Sequence, residues 1–473
     1  MIRKAAASDV LLDEGRACSA WTSKRLLYFV LLNGVCLNIL LGAATYLLLL
    51  FGWLPRGVMS NSLTLLGIYF LRGKQGTDSW GPMFEALRAH AAHLPIYDTV
   101  FFANHTKFQY PLTSLLPLYA LHSIGISEES LLKLLNAASW FAVWGTVAFA
   151  CLILLRSART FGPVQVPHAS TRRRLVLSGI VAGLLFFPVT WAYNLGQIQV
   201  FLSLAFAAAI YCWMSGREKW SGVLVACLIL LKPQYAVFLL WFALRKKTQP
   251  LLASFSVLGL SAAASVVVFG WHDHVRYLEV ISYMGKHGEV FYYNLSVNGF
   301  LNRLLLNGNS LQYTIHSFPP MNRLVYTLTM LSSGLFVITS LVYPLFTRAR
   351  AGVEDFIMIA LSMTLASPIA WDHHYGILLA GFAYCAGRLQ AVAHIKLLAV
   401  SYVLLSNAWS PLNMFANKPL LNVLQSLPFL GVLLFLGFLY LETAHASPQT
   451  DECPTTAIHR FLPMPRFSNR AAL

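Results

Sequence analysis

At about 150 residues per domain, 473 residues would fill roughly three soluble domains. The composition excludes them: 57% of the residues are hydrophobic, 11% are charged and the mean hydropathy is +0.61, where a soluble protein carries about 25% charge. The net charge of +16 is no nucleic-acid signal either, because the basic residues sit in short clusters between apolar runs, as they do on the inner side of a membrane.

Unbroken apolar runs such as 26–53 and 251–270 exclude a β-barrel, whose strands alternate over about ten residues. At about 20 apolar residues per crossing, the chain reads as an all-α, polytopic helical membrane protein of about twelve spans. Its expected parts are a cytoplasmic N-terminal segment (1–25), a multi-span domain (26–442) and a cytoplasmic, largely disordered tail (443–473).

Arg3, Lys4, Lys24 and Arg25 precede the first run, which puts the N-terminus inside and the end of the run, near Trp53, outside. That run is too long for a signal peptide and reads as a permanent anchor. A long outer loop follows, about 54–130, in which the stretch 110–125, interrupted by Pro111 and Pro117, fits a juxtamembrane or re-entrant helix. Run 131–155 descends to Arg156, Arg159, Arg172, Arg173 and Arg174, a connection without an acidic residue. Run 175–191 rises and 200–215 returns.

The stretch 221–244 has basic residues near both ends and Lys232-Pro233 in the middle. Two short half-spans with Lys232 at their apex explain this better than one kinked span in which Lys232 would need a carboxylate partner. Run 251–270 rises into a second outer loop, about 271–321. Run 324–346 returns to Arg348 and Arg350, 356–370 rises to Trp371-Asp372-His373-His374, 375–386 descends, 395–406 rises and 421–441 descends. The seven cysteines (Cys18, Cys36, Cys151, Cys212, Cys227, Cys385 and Cys453) lie mostly within apolar runs without a C-x-x-C pair, and imply no disulfide framework.

This topology gathers the chemically capable residues on the outer side. The first loop holds Asp78, Glu85, His90, His93, Asp98, His105, Lys107 and Tyr110, and a helix end holds Tyr193, Asn194, Gln197 and Gln199. The second loop brings His272, Asp273, His274, Arg276, Lys286, Asn294, Ser296, Asn298 and Arg303, and a late turn brings Ser367, Asp372, His373 and His374. One outward-facing polar cavity closed by two loops is the simplest arrangement. Lys232 reaches it from within the membrane, where an ammonium is costly unless an anion or a water-filled cavity meets it.

Several stretches also resemble a known family. Gly76-Thr77-Asp78-Ser79-Trp80, Leu94-Pro95-Ile96-Tyr97 and Tyr110-Pro111 resemble the first extracytoplasmic loop of glycosyltransferase family 87. Asn194-Leu195-Gly196-Gln197, the segment from Gly222 to Lys232-Pro233-Gln234, Asn294 to Arg303, and Ser367-Pro368 with Trp371 and His373-His374 continue the likeness in the same order, over about residues 70–390. The resemblance implies a C-type glycosyltransferase fold with long extracytoplasmic loops. It implies transfer of a sugar, most often mannose, from a polyprenyl-phosphate donor to an acceptor hydroxyl on a lipid or glycan, with inversion and without metal or other cofactor. The expected setting is a bacterial plasma (inner) membrane, with the site facing the periplasm or cell exterior. The chain has no Asp-x-Asp, the pattern that commonly holds a divalent ion against a nucleotide sugar.

By that resemblance Asp78 is the general base that takes the acceptor proton; by itself an Asp there also suits the cap of a helix over 79–88. His373 or His374 would assist the leaving phosphate or orient the sugar, the alternative being an ordinary interfacial histidine. Lys232 and Arg303 are the donor-phosphate candidates, and Asn194, Gln197 and Asn298 the sugar-binding ones. Trp371, with Trp191 and Trp271, would stack on a sugar, although Trp at an interface more often anchors the belt. Two rival readings remain from the residues: a metal hydrolase using His272, Asp273, His274 with Asp372, His373, His374, and a transporter or flippase of polyprenyl-linked sugars. The sequons at Asn104 and Asn294 read as chance occurrences.

Overall fold

A computed structural model describes residues 23–55, 70–73, 75–161, 169–314, 316–347, 351–389 and 393–445. The expected terminal segments lie almost wholly outside the described residues. Backbone groups in hydrocarbon have no water to bond, so long apolar runs satisfy them internally as helices. In chain order these are α1 (Ser23–Leu50), α2 (Trp80–Ala91), α3 (Leu116–Ser123), α4 (Glu128–Phe161), α5 (Ala169–Leu184), α6 (Phe187–Leu195) and α7 (Gln199–Met214). Next come α8 (Glu218–Leu231), α9 (Val237–Leu244), α10 (Thr248–Phe269), α11 (Trp271–His287), α12 (Val297–Leu304), α13 (Arg323–Thr347), α14 (Val353–Ala366), α15 (Leu378–Gly387), α16 (Ile395–Leu405) and α17 (Leu427–His445). Among the described residues there is no strand, only an isolated antiparallel bridge between Asn294 and Trp371.

Five described segments are long and apolar enough to cross a bilayer: Ser23–Leu50, Glu128–Thr160, Thr248–Phe269, Arg323–Thr347 and Leu421–Ala444, with α5 and α6, bent by 46°, as a sixth. By length, then, five or six crossings stand where about twelve were expected. The difference lies in α7, α8, α9, α14, α15 and α16, which have 16, 14, 8, 14, 10 and 11 residues. At 1.5 Å per residue they reach roughly 12–24 Å, short of about 30 Å of hydrocarbon. Short and long helices also differ in surroundings. In α14 every residue from Val353 to Leu365 is buried, whereas α10 and α13 turn Leu260, Val267, Leu331 and Leu335 outward as lipid-facing surface.

Helices α8 and α9 form the break expected at Lys232. Lys232 leaves the helix in an extended conformation (φ −140°, ψ 96°), and a single 3-10 turn, Pro233–Ala236, leads into α9. Lys247 Nζ lies 2.7 Å from Glu218 Oε1, so the far ends of the hairpin meet and Lys232 marks its apex. Gly222 lets α10 close against α8, since a Cβ there would stand 2.2 Å from Pro250 O. Thr113 of the first long connection donates to Leu230 O (2.7 Å) and seats that connection over the apex.

The two long connections are themselves helical and lock together. The Asp273 carboxylate accepts from Ile96 N (3.2 Å) and Tyr97 N (3.5 Å), Arg276 Nε donates to Asp98 Oδ1 (2.6 Å), and Tyr277 OH donates to Gln109 O (3.2 Å). Away from them, the buried pair Arg245–Asp355 (3.0 Å) and the Arg388–Glu354 contact tie α14 to its neighbours.

Candidate active site

Asp78 stands just ahead of α2, and its position is set by a backbone zipper. Gly76 N donates to Asn194 O (2.8 Å), Asp78 N to Leu195 O (3.0 Å) and Ser79 N to Gly196 O (3.2 Å). Both glycines are needed for this approach. Gly196 has φ +71°, and a Cβ on it would stand 2.0 Å from Gly76 O; a Cβ on Gly76 would stand 2.7 Å from Leu195 O. The zipper brings Asp78 to Gln197, whose Nε2 donates to Asp78 Oδ2. Gln197 Oε1 in turn accepts from Ser79 Oγ (2.8 Å) and Tyr110 OH (3.3 Å). The capping alternative is corrected here: α2 begins after Ser79 without a side-chain cap, and the Asp78 carboxylate is committed to Gln197.

Burial pushes the Asp78 carboxyl above its ordinary 3.8, opposed by the Gln197 hydrogen bond and the charge of Lys107. Lys107 is itself buried, 2.7 Å from Glu289 Oε2 and over the rings of Tyr313 (4.7 Å) and Phe318 (4.3 Å). Burial lowers its pKa from 10.5, with Glu289 resisting the change.

Asp78 and Lys107 line a cavity of about 830 Å³, at the large end of the ~300–1,000 Å³ range of small-molecule sites. Lys232, from the hairpin apex, and Asp372, His373 and His374, from the 3-10 turn Asp372–Ile377, line the same cavity. Here the buried polar atoms are left over. Lys232 Nζ, both His373 ring nitrogens and Asp372 Oδ2 have no hydrogen-bond partner among the described residues. His373 Nδ1 lies 3.3 Å from Asp372 Oδ1 without hydrogen-bond geometry, while His373 N donates to that oxygen (2.7 Å). His374 packs edge-on against His373, with ring centres 4.8 Å apart, so both histidines line the cavity.

Asn194, Gln197 and Trp371 also line it. Asn194 Nδ2 donates back to Thr190 O (2.8 Å). Trp371 stacks on His373 at 6.5 Å and meets Tyr313 edge-on at 5.5 Å, and Trp191 with Phe291 and Tyr293 extends this aromatic wall. Trp271 is apart, 69% exposed.

Two expected site residues are corrected. Arg303 does not line the cavity: its guanidinium is buried and donates to Phe291 O (3.1 Å), Asn294 O (3.0 Å) and Ser426 Oγ (2.8 Å), which holds the second connection in shape. Asn298 is likewise structural, accepting from Glu289 N (3.1 Å) and Asn302 Nδ2 (2.7 Å). Asn294 is fully buried and stitches its loop to the late turn, donating to Pro368 O (3.0 Å) and accepting from Ala370 N (2.8 Å). The metal-hydrolase reading is also corrected: Asp273 is spent on backbone N–H groups, His274 ring nitrogens meet Ser265 (2.9 Å) and Gly270 O (2.7 Å), and His272 points to Asp98. Among the described residues no three His, Cys, Asp or Glu side chains gather as metal ligands.

Residues 108–368, more than half of the chain, match the model of glycosyltransferase family 87. The chain belongs to that family. No curated protein and no solved structure matches it. Membership of glycosyltransferase family 87, with the apolar helices, makes the protein a membrane glycosyltransferase with a sugar donor and an acceptor as substrates. The matched stretch starts after Asp78 and stops before His373; folding is what joins these flanking residues to Lys232, which lies within it. In sequence Lys107 stands out only as a residue of the first loop and Tyr110 as part of a motif in it, and nothing marks Tyr277, Tyr293 or Tyr313 of this glycosyltransferase for the site. All five line the cavity. The proximity of Lys107 to Glu289 is invisible in sequence because 182 positions separate them.

Proposed function

We propose that this glycosyltransferase moves a hexosyl unit, mannose in the first instance, from polyprenyl phosphate to a hydroxyl of a lipid or glycan acceptor, with inversion at the anomeric carbon. The reaction would occur at the extracytoplasmic face of a bacterial plasma membrane. The observation that carries the reading is that one cavity holds a carboxylate positioned by a hydrogen bond from Gln197 and, elsewhere on its wall, a buried ammonium and imidazole that lack hydrogen-bond partners among the described residues. Asp78 accepts the acceptor proton as the hydroxyl oxygen attacks the anomeric carbon, and a raised pKa suits a base working near neutral pH. The bond from that carbon to the phosphate oxygen breaks. The charge that develops on the departing lipid phosphate is met by Lys232, with His373 or His374 beside it.

Lys232 suits a lipid monophosphate because one cation in a dry wall balances one phosphate charge without a metal. Asn194 and Gln197 supply hydrogen-bonding groups for sugar hydroxyls, and Trp371 and Trp191 offer ring faces. The apolar lining from Val237, Ile281, Met284, Val337 and Met363 provides a path for the first prenyl units. The donor sugar and lipid are those the family resemblance implies.

Radiolabel transfer from polyprenyl-phosphate mannose into membrane lipids and glycans tests this, with membranes holding wild type and Asp78→Asn at matched protein level. Transfer that vanishes in the variant supports the reading. A wild type that moves or binds a panel of lipid-linked sugars but transfers none would sink it.

A further inference from the structure

A second cavity, of about 480 Å³, lies between α1, α4, α5, α15 and α16. Phe29, Leu154, Gly179, Phe382, Leu398 and Tyr402 characterise its wall, and among the described residues the sole charge on its lining is Arg25, in the first turn of α1. Deeper along α1 a polar clasp closes the same helix contact: Asn33 Nδ2 donates to Ser406 Oγ (2.8 Å) and Asn407 Nδ2 to Asn33 Oδ1 (2.9 Å). Helix α1 is thus tied at its middle by hydrogen bonds and stands off an apolar gap at its start.

The chemistry of the gap names its guest. An apolar cavity of about 150 Å³ already stays dry and takes up a hydrocarbon, and this one is about three times larger. Near its lining on the same helices lie the exposed cations Lys24, Arg25, Arg159, Arg172, Arg173 and Lys396, while Arg156 Nε donates to Met214 O (3.0 Å) at the end of α7. Among the described residues, Glu354 contacts Arg388 and Glu442 lies 2.9 Å from the His394 ring. Basic residues next to a bilayer surface concentrate anionic lipid.

We propose that this cavity is a structural site for an anionic phospholipid, one acyl chain filling the gap and the phosphate lying among the cations around Arg25. The lipid completes the packing of α1 against α5 and α16, at a place separate from the sugar-transfer cavity. The site is independent of which sugar or acceptor the enzyme uses.

The test is native mass spectrometry of the full chain in detergent, after delipidation and titration with phosphatidylglycerol, phosphatidylcholine or polyprenyl phosphate. The expected result is one tightly retained phosphatidylglycerol, bound several-fold better than phosphatidylcholine, which also raises the thermal unfolding midpoint. Ala182→Phe with Ala386→Phe fills the cavity and should abolish that binding. Arg25→Ala should leave the fold intact and narrow the preference over phosphatidylcholine, which keeps the test valid if the filled variant does not fold. Equal binding of the two phospholipids, unchanged phosphatidylglycerol binding in the filled variant, or a polyprenyl phosphate that wins this site would each overturn the proposal.

Discussion

The Asp78 wall of the large cavity and its Lys232 wall are built on opposite principles. Around Asp78, Ser79, Tyr110 and Gln197 hydrogen-bond one another, and a glycine-dependent zipper fixes the backbone beneath them. Around Lys232 the ammonium and the His373 ring are buried without hydrogen-bond partners among the described residues, at a cost of about 1–3 kcal/mol for each buried unsatisfied group and more for a charged one. A satisfied network holds a group in one position, as a base requires. An unsatisfied one favours whatever ligand brings the missing charge and acceptors, as a donor phosphate does.

The largest expected effect comes from removing the base. Asp78→Asn should lower transfer by about 10²–10⁴-fold at unchanged expression. Its stability should move the other way. Burial raises the Asp78 pKa in the folded chain, so the stability linked to its protonation is complete below the ordinary 3.8 and is lost as pH rises through the folded value. The Asn side chain escapes that loss, so the thermal midpoint at neutral pH should match or exceed wild type. A large fall in midpoint would mean that Asp78 is structural.

Next, Lys232→Met removes a charge-assisted contact worth about 1.5–3 kcal/mol, so the donor KM should rise about tenfold to a hundredfold. The unliganded variant should melt later than wild type, since a buried ammonium without a partner is gone. An unchanged donor KM would show that the two walls do not divide the work in this way. Gly196→Ala tests the zipper: a Cβ 2.0 Å from Gly76 O at φ +71° forces the two backbone segments apart, with strain of about 1–3 kcal/mol. Its expected mark is a lower kcat and a lower thermal midpoint with donor KM kept, whereas a fall in donor affinity alone would contradict it.

The smallest effect is a pH shift. The charge of Lys107 pulls the Asp78 pKa down against the burial that raises it, so Lys107→Met paired with Glu289→Gln should move the acidic limb of the kcat/KM profile to higher pH. The pairing avoids leaving Glu289 buried and alone. A limb that stays in place would separate Lys107 from the base.

Much of this was legible in order along the chain, and less of it in space. The Gly76 to Trp80 and Asn194 to Gln197 motifs could be recognised separately, but not that Gly76 and Gly196 touch. Arg303 and Lys232 look equivalent as cations near a polar cavity, yet Arg303 is consumed by Phe291 O, Asn294 O and Ser426 Oγ while the Lys232 ammonium stands at a helix break with no hydrogen-bond partner among the described residues. Asn298 looked like a hydroxyl binder for the same reason and is spent on Glu289 and Asn302.

Composition and the unbroken apolar runs by themselves determined that the protein is a helical membrane protein, because hydrocarbon admits only helices and closed barrels and the strands of a barrel alternate. Local pattern determined the break at Lys232-Pro233, because proline cannot continue the ladder of α8. Only the tertiary structure decided which polar side chains are free for a substrate. That depends on partners more than a hundred positions away, as with Gln197 for Asp78 and Glu289 for Lys107, and a hydrogen bond leaves no trace in spacing. The tertiary structure likewise decided that short helices such as α14 belong to the interior, since burial by neighbours, not length in sequence, fixes what surrounds a helix.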